Sequence, residues 1–245
     1  MSLQPLFYKK IVPLNKEQHK DLYIEATDNF KYARQSNSLY IAAVEFQRAV
    51  AEYPIVFGTD GEGKVFPVVL LGLKADQNLF VDKAGKWQAD YIPAYTRRYP
   101  FILAVNSTQT EEQFTVCIDE GYPGFNTAKE GQPLFDDAGE ESPVLKQAVE
   151  FLKDYQNQIR LTSEFCRQLQ ELAILEPVQA NIEMRSGDKF AVGGFLCVSR
   201  DKLKALPAAT LQGLVQSGQL ELIYAHLLSL HNIQGLMNKM PAGKK

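Results

Sequence analysis

Two apolar runs, Tyr53-Pro54-Ile55-Val56-Phe57 and Val65-Phe66-Pro67-Val68-Val69-Leu70-Leu71, stand on either side of Gly58-Thr59-Asp60-Gly61-Glu62-Gly63-Lys64. β-Branched and aromatic residues suit a pleated strand, and Asp-Gly between two such runs supplies the residues of a tight hairpin. Strands are therefore expected near 54–58 and 65–73. The same stretch comes close to a phosphate-binding loop, with Gly58, four residues and Gly63-Lys64, but Val65 stands where Ser or Thr is required. Such a loop grips phosphate only when a helix begins directly behind it. Here the following run is strand-like, and Pro67 lies too deep to open a helix. Asp60 and Glu62 would also repel an anion. The segment is a turn, and it commits the chain to antiparallel pairing.

Other strand signals repeat the pattern. Phe7 to Val12, Asp21 to Thr27, Asn78 to Val81, Pro100 to Val105 and Gln113 to Ile118 read as strands, with a turn at Asp82-Lys83-Ala84-Gly85 and a short helix within Ile41 to Tyr53. Strands joined through short turns favour an antiparallel sheet over a doubly wound one. Residues 119–141 are rich in Gly, Pro, Asp and Glu and read as an acidic surface loop. Ser142-Pro143 then provides an N-cap and a first-turn proline. Leu145, Val149, Leu152, Ile159, Phe165, Leu169 and Leu172 carry an apolar stripe to about Leu175, ahead of Glu176-Pro177. A second hairpin is expected over 177–198, turning at Arg185-Ser186-Gly187-Asp188, with a bulge at Gly193-Gly194. The tail, 199–240, is helical and broken at Ser217-Gly218. The expected fold is α+β, a predominantly antiparallel β-sheet with one long helix (about 142–175) and a C-terminal helical segment packed on it. One domain spanning 1–245 is expected, strand-rich over 1–120.

Composition narrows the function classes. A net charge of −3 leaves no electrostatic footprint for nucleic acid, so none is expected as a partner. Three cysteines, Cys117, Cys166 and Cys197, lie far apart with no CxxC spacing, which fits free thiols in a reducing, cytoplasmic compartment. The N-terminal segment lacks the apolar core of a signal peptide, and no run is long enough for a transmembrane segment.

Catalytic signatures are sparse. His226 and His231 are five residues apart on one helix, about 140° of rotation, so they do not share a face as a metal-binding pair would. No metal site and no cofactor is expected, and His226, His231 and His19 read as surface or interface residues. No Gly-x-Ser-x-Gly elbow occurs, and Cys197 reads as core. The densest cluster is Trp87-Gln88-Ala89-Asp90-Tyr91-Ile92-Pro93-Ala94-Tyr95-Thr96-Arg97-Arg98-Tyr99-Pro100-Phe101. Planar arginine forks suit carboxylate or phosphate, and aromatic rings with polar tips suit a groove or interface. Trp87, Tyr91, Tyr95, Arg97, Arg98 and Tyr99, with Glu45, are the candidate binding residues; the alternative is structural, with rings in the core and an arginine paired to Glu45.

The combination of AVEFQRAVAEYPIVF (43–57), GLKADQNLFVDKAGKWQADYIPAYTRRYPFILA (72–104) and GQPLFDDAG (131–139) resembles the SapC family of bacterial proteins, and the resemblance runs from YKKIVPLNKEQH (8–19) to YAHLLSLHNIQGLMNK (224–239). The family takes its name from a gene associated with a paracrystalline surface layer, and its members tend to be encoded near halogenase-like, cupin-like and outer-membrane receptor genes. The resemblance carries over no catalytic residue. Three functions stay open: a non-catalytic binding or accessory protein acting with an enzyme or transport partner, a small-molecule enzyme in a pathway with halogenase-like neighbours, and a surface-layer-associated protein. The expected partner is a protein or a small-molecule ligand, and the expected state a monomer or homodimer.

Overall fold

The computed structural model describes residues 5–107, 112–183 and 189–240. Eleven strands are present among them: β1 Ile11–Pro13, β2 Tyr23–Ile24, β3 Ser38–Tyr40, β4 Ile55–Thr59, β5 Val65–Leu70, β6 Phe101–Ser107, β7 Glu112–Asp119, β8 Phe125–Asn126, β9 Gln132–Pro133, β10 Leu175–Glu183 and β11 Lys189–Val198. The α-helices are α1 Lys16–His19, α2 Phe46–Ala49, α3 Ala94–Arg97, α4 Pro143–Glu171, α5 Arg200–Lys204, α6 Ala208–Gln216, α7 Gln219–Ser229 and α8 Asn232–Lys239. The class is α+β, and every strand pair is antiparallel. The strands divide among three sheets, ordered β10-β11-β4-β5-β3, β1-β7-β6 and β8-β2-β9.

The central hairpin forms with Ile55 opposite Val69 and Thr59 opposite Val65. Its turn is longer than a two-residue Asp-Gly loop. Asp60 Oδ1 accepts the N–H groups of Glu62 and Lys64 at 2.9 and 2.8 Å, and Gly63 adopts the positive φ. No helix follows, so the glycines frame a turn and not a phosphate site. Pro67 explains where β3 stops. Its carbonyl accepts the Ile41 N–H at 3.2 Å, but its ring nitrogen has no hydrogen to return, and β3 ends at Tyr40.

Several local expectations change. Asn78 to Val81 forms no strand; only a bridge joins Val81 to Trp87, around the expected turn, where Asp82 Oδ1 accepts the N–H groups of Gly85 and Lys86. The acidic stretch 119–141 is more than a surface loop. Its two-residue strands β8 and β9 flank β2, and Leu134 and Phe135 are buried. Helix α4 starts on Ser142, whose hydroxyl accepts the Leu145 N–H, but ends at Glu171 because Ala173 turns left-handed at φ 53°. Pro177 is tolerated within β10 because that strand lies at a sheet edge. Opposite Val178 and Ala180, β11 carries one extra residue at Gly193-Gly194, the expected bulge. The expected turn at 185–188 lies outside the described residues.

Helix α4 joins two cores. Leu145 and Leu152 pack with Phe101, Ile118, Leu134 and Phe135. Phe165, Cys166 and Leu169 belong to the larger cluster on the five-stranded sheet. The tail closes that sheet from the other end. His226, on α7, is fully buried and not a surface residue: its Nδ1–H donates to the Ile55 carbonyl at 2.8 Å, and its Nε2 accepts the Val198 N–H at 3.0 Å. Ser229 Oγ accepts the Ile55 N–H at 2.9 Å. His19 is also buried, with Nδ1 2.9 Å from the Asn15 backbone nitrogen and Nε2 facing Glu120.

Candidate functional site

Two carboxylates hold the aromatic and arginine segment in place. Glu52 accepts the N–H groups of Asp90 and Tyr91, both at 2.9 Å. Glu45, 4% exposed, accepts the Ala42 N–H at 2.8 Å on Oε2, and the Ala94 N–H at 2.7 Å and the Tyr91 hydroxyl at 2.6 Å on Oε1. It thereby caps α3, a one-turn helix whose own N-cap, Pro93, has no side-chain acceptor. Burial and the Glu45 carboxylate push the Tyr91 phenol well above its ordinary pKa.

The short turn of α3 then sends its two arginines into different surroundings. Arg97 is exposed; its Nε–H donates to the Ile92 carbonyl at 3.0 Å, and its guanidinium stands 5.1 Å from the Phe151 ring centre and 5.9 Å from that of Tyr91. Arg98 points into a nest of phenol rings, 4.0 Å from the Tyr95 centre, 5.5 Å from Tyr155 and 5.7 Å from Tyr8. A cation over a ring is worth roughly 0.5–2 kcal/mol, far less than a paired charge regains on burial. Among the described residues neither arginine has an ion-pair partner, and the buried Arg98 Nε–H has no acceptor. Glu45, the acid expected to pair with one of them, is occupied by backbone and phenol donors.

Tyr99 borders the same region. Its hydroxyl donates to Asp119 Oδ2 at 3.1 Å, and its ring lies 4.4 Å from Tyr32 and 5.3 Å from Tyr122. Burial alone would raise the Asp119 carboxyl, but the N–H groups of Lys10, Lys9 and Gly121 and the Tyr99 hydroxyl outweigh it and lower its pKa. Tyr95 supports from below, its hydroxyl accepting the Leu6 N–H at 3.0 Å.

Two hollows meet at Arg97 and Phe151. The larger, about 450 Å³, is lined by Arg97, Arg98 and Tyr99, by Phe101 and Tyr122, and by Val144, Ala148 and Phe151 of α4, with Ile24 and Gln132 of the small sheet opposite. The smaller, about 200 Å³, is lined by Glu45, Arg48, Tyr91, Arg97, Phe151 and Tyr155. A volume of several hundred Å³ with apolar walls and a few polar groups is the usual form of a small-molecule site.

Of the seven residues singled out in the sequence, Arg97, Arg98 and Tyr99 line the larger hollow, while Glu45, Tyr91 and Arg97 line the smaller. Tyr95 underlies Arg98. Trp87 lies apart from both hollows: it is buried in the main core and donates Nε1–H to the Tyr53 hydroxyl at 2.8 Å. Sequence reading missed Tyr8, Asp119, Tyr122, Phe151 and Tyr155. The last two stack at i, i+4 on α4, and that spacing was a readable signal. Nothing local marked the other three.

Among the described residues no group of three or more His, Cys, Asp or Glu could hold a metal, and no helix is long and apolar enough to cross a membrane. All three cysteines are buried and unpaired, and burial pushes the Cys166 and Cys197 thiols up to about 12. Compared with known proteins, residues 14–236 match a family model described as SapC. No curated protein and no solved structure matches the chain.

Proposed function

From the premise that the chain belongs to the SapC family, we propose that it is a binding protein, an accessory to an enzyme or transport partner, whose ligand occupies the larger hollow beside α4. The observation that carries this reading is an apolar cavity of about 450 Å³ bordered by two arginines without carboxylate partners. The walls favour holding over proton transfer. Arginine does not deprotonate in proteins, and burial raises the Tyr99 and Tyr122 phenols above their ordinary values. Glu25, the carboxylate on the wall, is exposed.

Native mass spectrometry on protein purified gently from its own host tests the reading, with Ala148→Trp as the control that fills the cavity. The wild type should carry a small-molecule mass that the variant lacks. A mass retained by the variant, or a bare wild type, contradicts the assignment of the cavity as the binding site.

A further inference from the structure

We infer that the ligand of this cavity is an organic monoanion, a carboxylate with an apolar body, received by the Arg98 guanidinium. The inference rests on the cavity being the binding site and adds the chemistry of what enters it. Three observations lead to it.

The first is the unfinished environment of Arg98. Its Nε–H is buried without an acceptor, its neighbours are the rings of Tyr8, Tyr95 and Tyr155, and no carboxylate in the described residues pairs with it. Ring faces soften the cost of withdrawing a guanidinium from water, and the Tyr8 hydroxyl hydrogen-bonds it, but neither neutralises its charge. An anion entering the cavity would do so. Asp119, bonded to the adjacent residue Tyr99, is itself occupied by the N–H groups of Lys9, Lys10 and Gly121 and the Tyr99 hydroxyl.

The second is charge. Arg97, Arg98 and Glu25 are the charged residues on the wall, which sum to +1. One negative charge balances that wall, and two would overshoot it. Arg97 already gives its Nε–H to Ile92 and stacks on Phe151, whereas the Arg98 guanidinium meets only phenols, Tyr8 by a hydrogen bond and Tyr95 and Tyr155 by their rings. A planar fork matches carboxylate geometry with two parallel hydrogen bonds.

The third is the rest of the wall. Ile24, Phe101, Val144, Ala148 and Phe151 offer apolar surface to a ligand body. A small inorganic anion would leave that surface wet, whereas an aliphatic or aromatic carboxylate covers it.

Isothermal titration with four probes sharing one chain, namely octanoate, octanol, octylammonium and octyl phosphate, separates the terms. Octanoate should bind most tightly, octylammonium should not bind, and octanol should bind about tenfold or more weakly than octanoate. Arg98→Met should reduce octanoate binding to the level of octanol while leaving octanol unchanged. Arg98→Lys should recover only part of the loss, because an ammonium lacks the fork. Ala148→Trp leaves Arg98 intact and should abolish binding of both, which covers the case of an unfolded Arg98 variant.

Octanol binding as tightly as octanoate, still lost in Ala148→Trp, would overturn the anion inference and leave the cavity reading standing. Preference for octyl phosphate would overturn the carboxylate assignment. Octanoate binding unaffected by Ala148→Trp would place it elsewhere and overturn both. Failure of every probe to bind would overturn the inference alone, since the native mass measurement judges the cavity independently.

Discussion

His226 is held neutral by the two groups its ring nitrogens meet. A proton added to Nε2 would face the Val198 N–H that this nitrogen accepts. Burial lowers its pKa to about 4, and the Arg200 charge acts in the same direction. The unfolded chain therefore binds more protons than the folded one between about pH 6.5 and that value. Stability from this group is complete above the upper limit, falls as the pH drops through the window, and levels off below it. The loss should be on the order of 3 kcal/mol, read as a falling urea midpoint in that window. A flat midpoint in that range would contradict the assignment. Glu45 makes a second case. Glu45→Gln keeps an oxygen for Ala94 and Tyr91 but turns an amide N–H toward the Ala42 N–H, and should cost about 1–3 kcal/mol in denaturant titration. Both residues show the limit of reading singly. A histidine on a helix and a glutamate in a helical stretch give no sign of partners such as Val198 and Ala94, which lie 28 and 49 positions away along the chain.

Elements were legible where a local rule decided them. Asp60 announced its turn, Ser142-Pro143 announced the start of α4, and Gly218 broke the tail at φ 73°. Ser142→Ala should cost about 1 kcal/mol, seen as a lower Tm, with less effect on cavity binding than on stability. The misplaced elements were those decided by tertiary context. Strands β8 and β9 have two residues each, too few for any periodicity, and only their pairing with β2, which lies within the strand expected over 21–27, makes them a sheet. That small sheet matters because it walls the cavity opposite α4. Gly131, beside β9, has φ +84°, and a Cβ there would stand 2.3 Å from the Ile24 carbonyl oxygen. Gly131→Ala should therefore loosen β2 from β9 and weaken ligand binding together with stability, checked by parallel thermal and calorimetric titration.

At the scale of the molecule, the candidate site lies where the chain's distant parts meet. Its wall draws on β2, the α3 corner, β6, the segment beside β9, and α4. The Tyr8 hydroxyl, 93 positions from the Phe101 carbonyl it bonds, ties the N-terminal segment to the same corner. The aromatic and arginine composition of 87–101 was visible in the sequence, and most of its members do gather at the two hollows. What could not be read was that both arginines would be left without a carboxylate, because that depends on Glu45 being satisfied by the Ala42 and Ala94 N–H groups and the Tyr91 hydroxyl. A ligand that bridges these parts should stabilise the whole fold by mass action. Octanoate at a hundred times its Kd should add about 3 kcal/mol and raise Tm in proportion, and in Arg98→Met that rise should shrink to the one octanol produces.

The most direct test of the account is the guanidinium resonance of Arg98 itself, followed by NMR while octanoate is added and assigned by its absence in Arg98→Lys. The Nε–H signal should be observable in the free protein, since it is shielded from water, and should move in step with the Val144 methyl signals until both saturate together. Val144 moving while the Arg98 signal stays fixed would mean that the cavity takes a ligand without using Arg98, and would contradict the account.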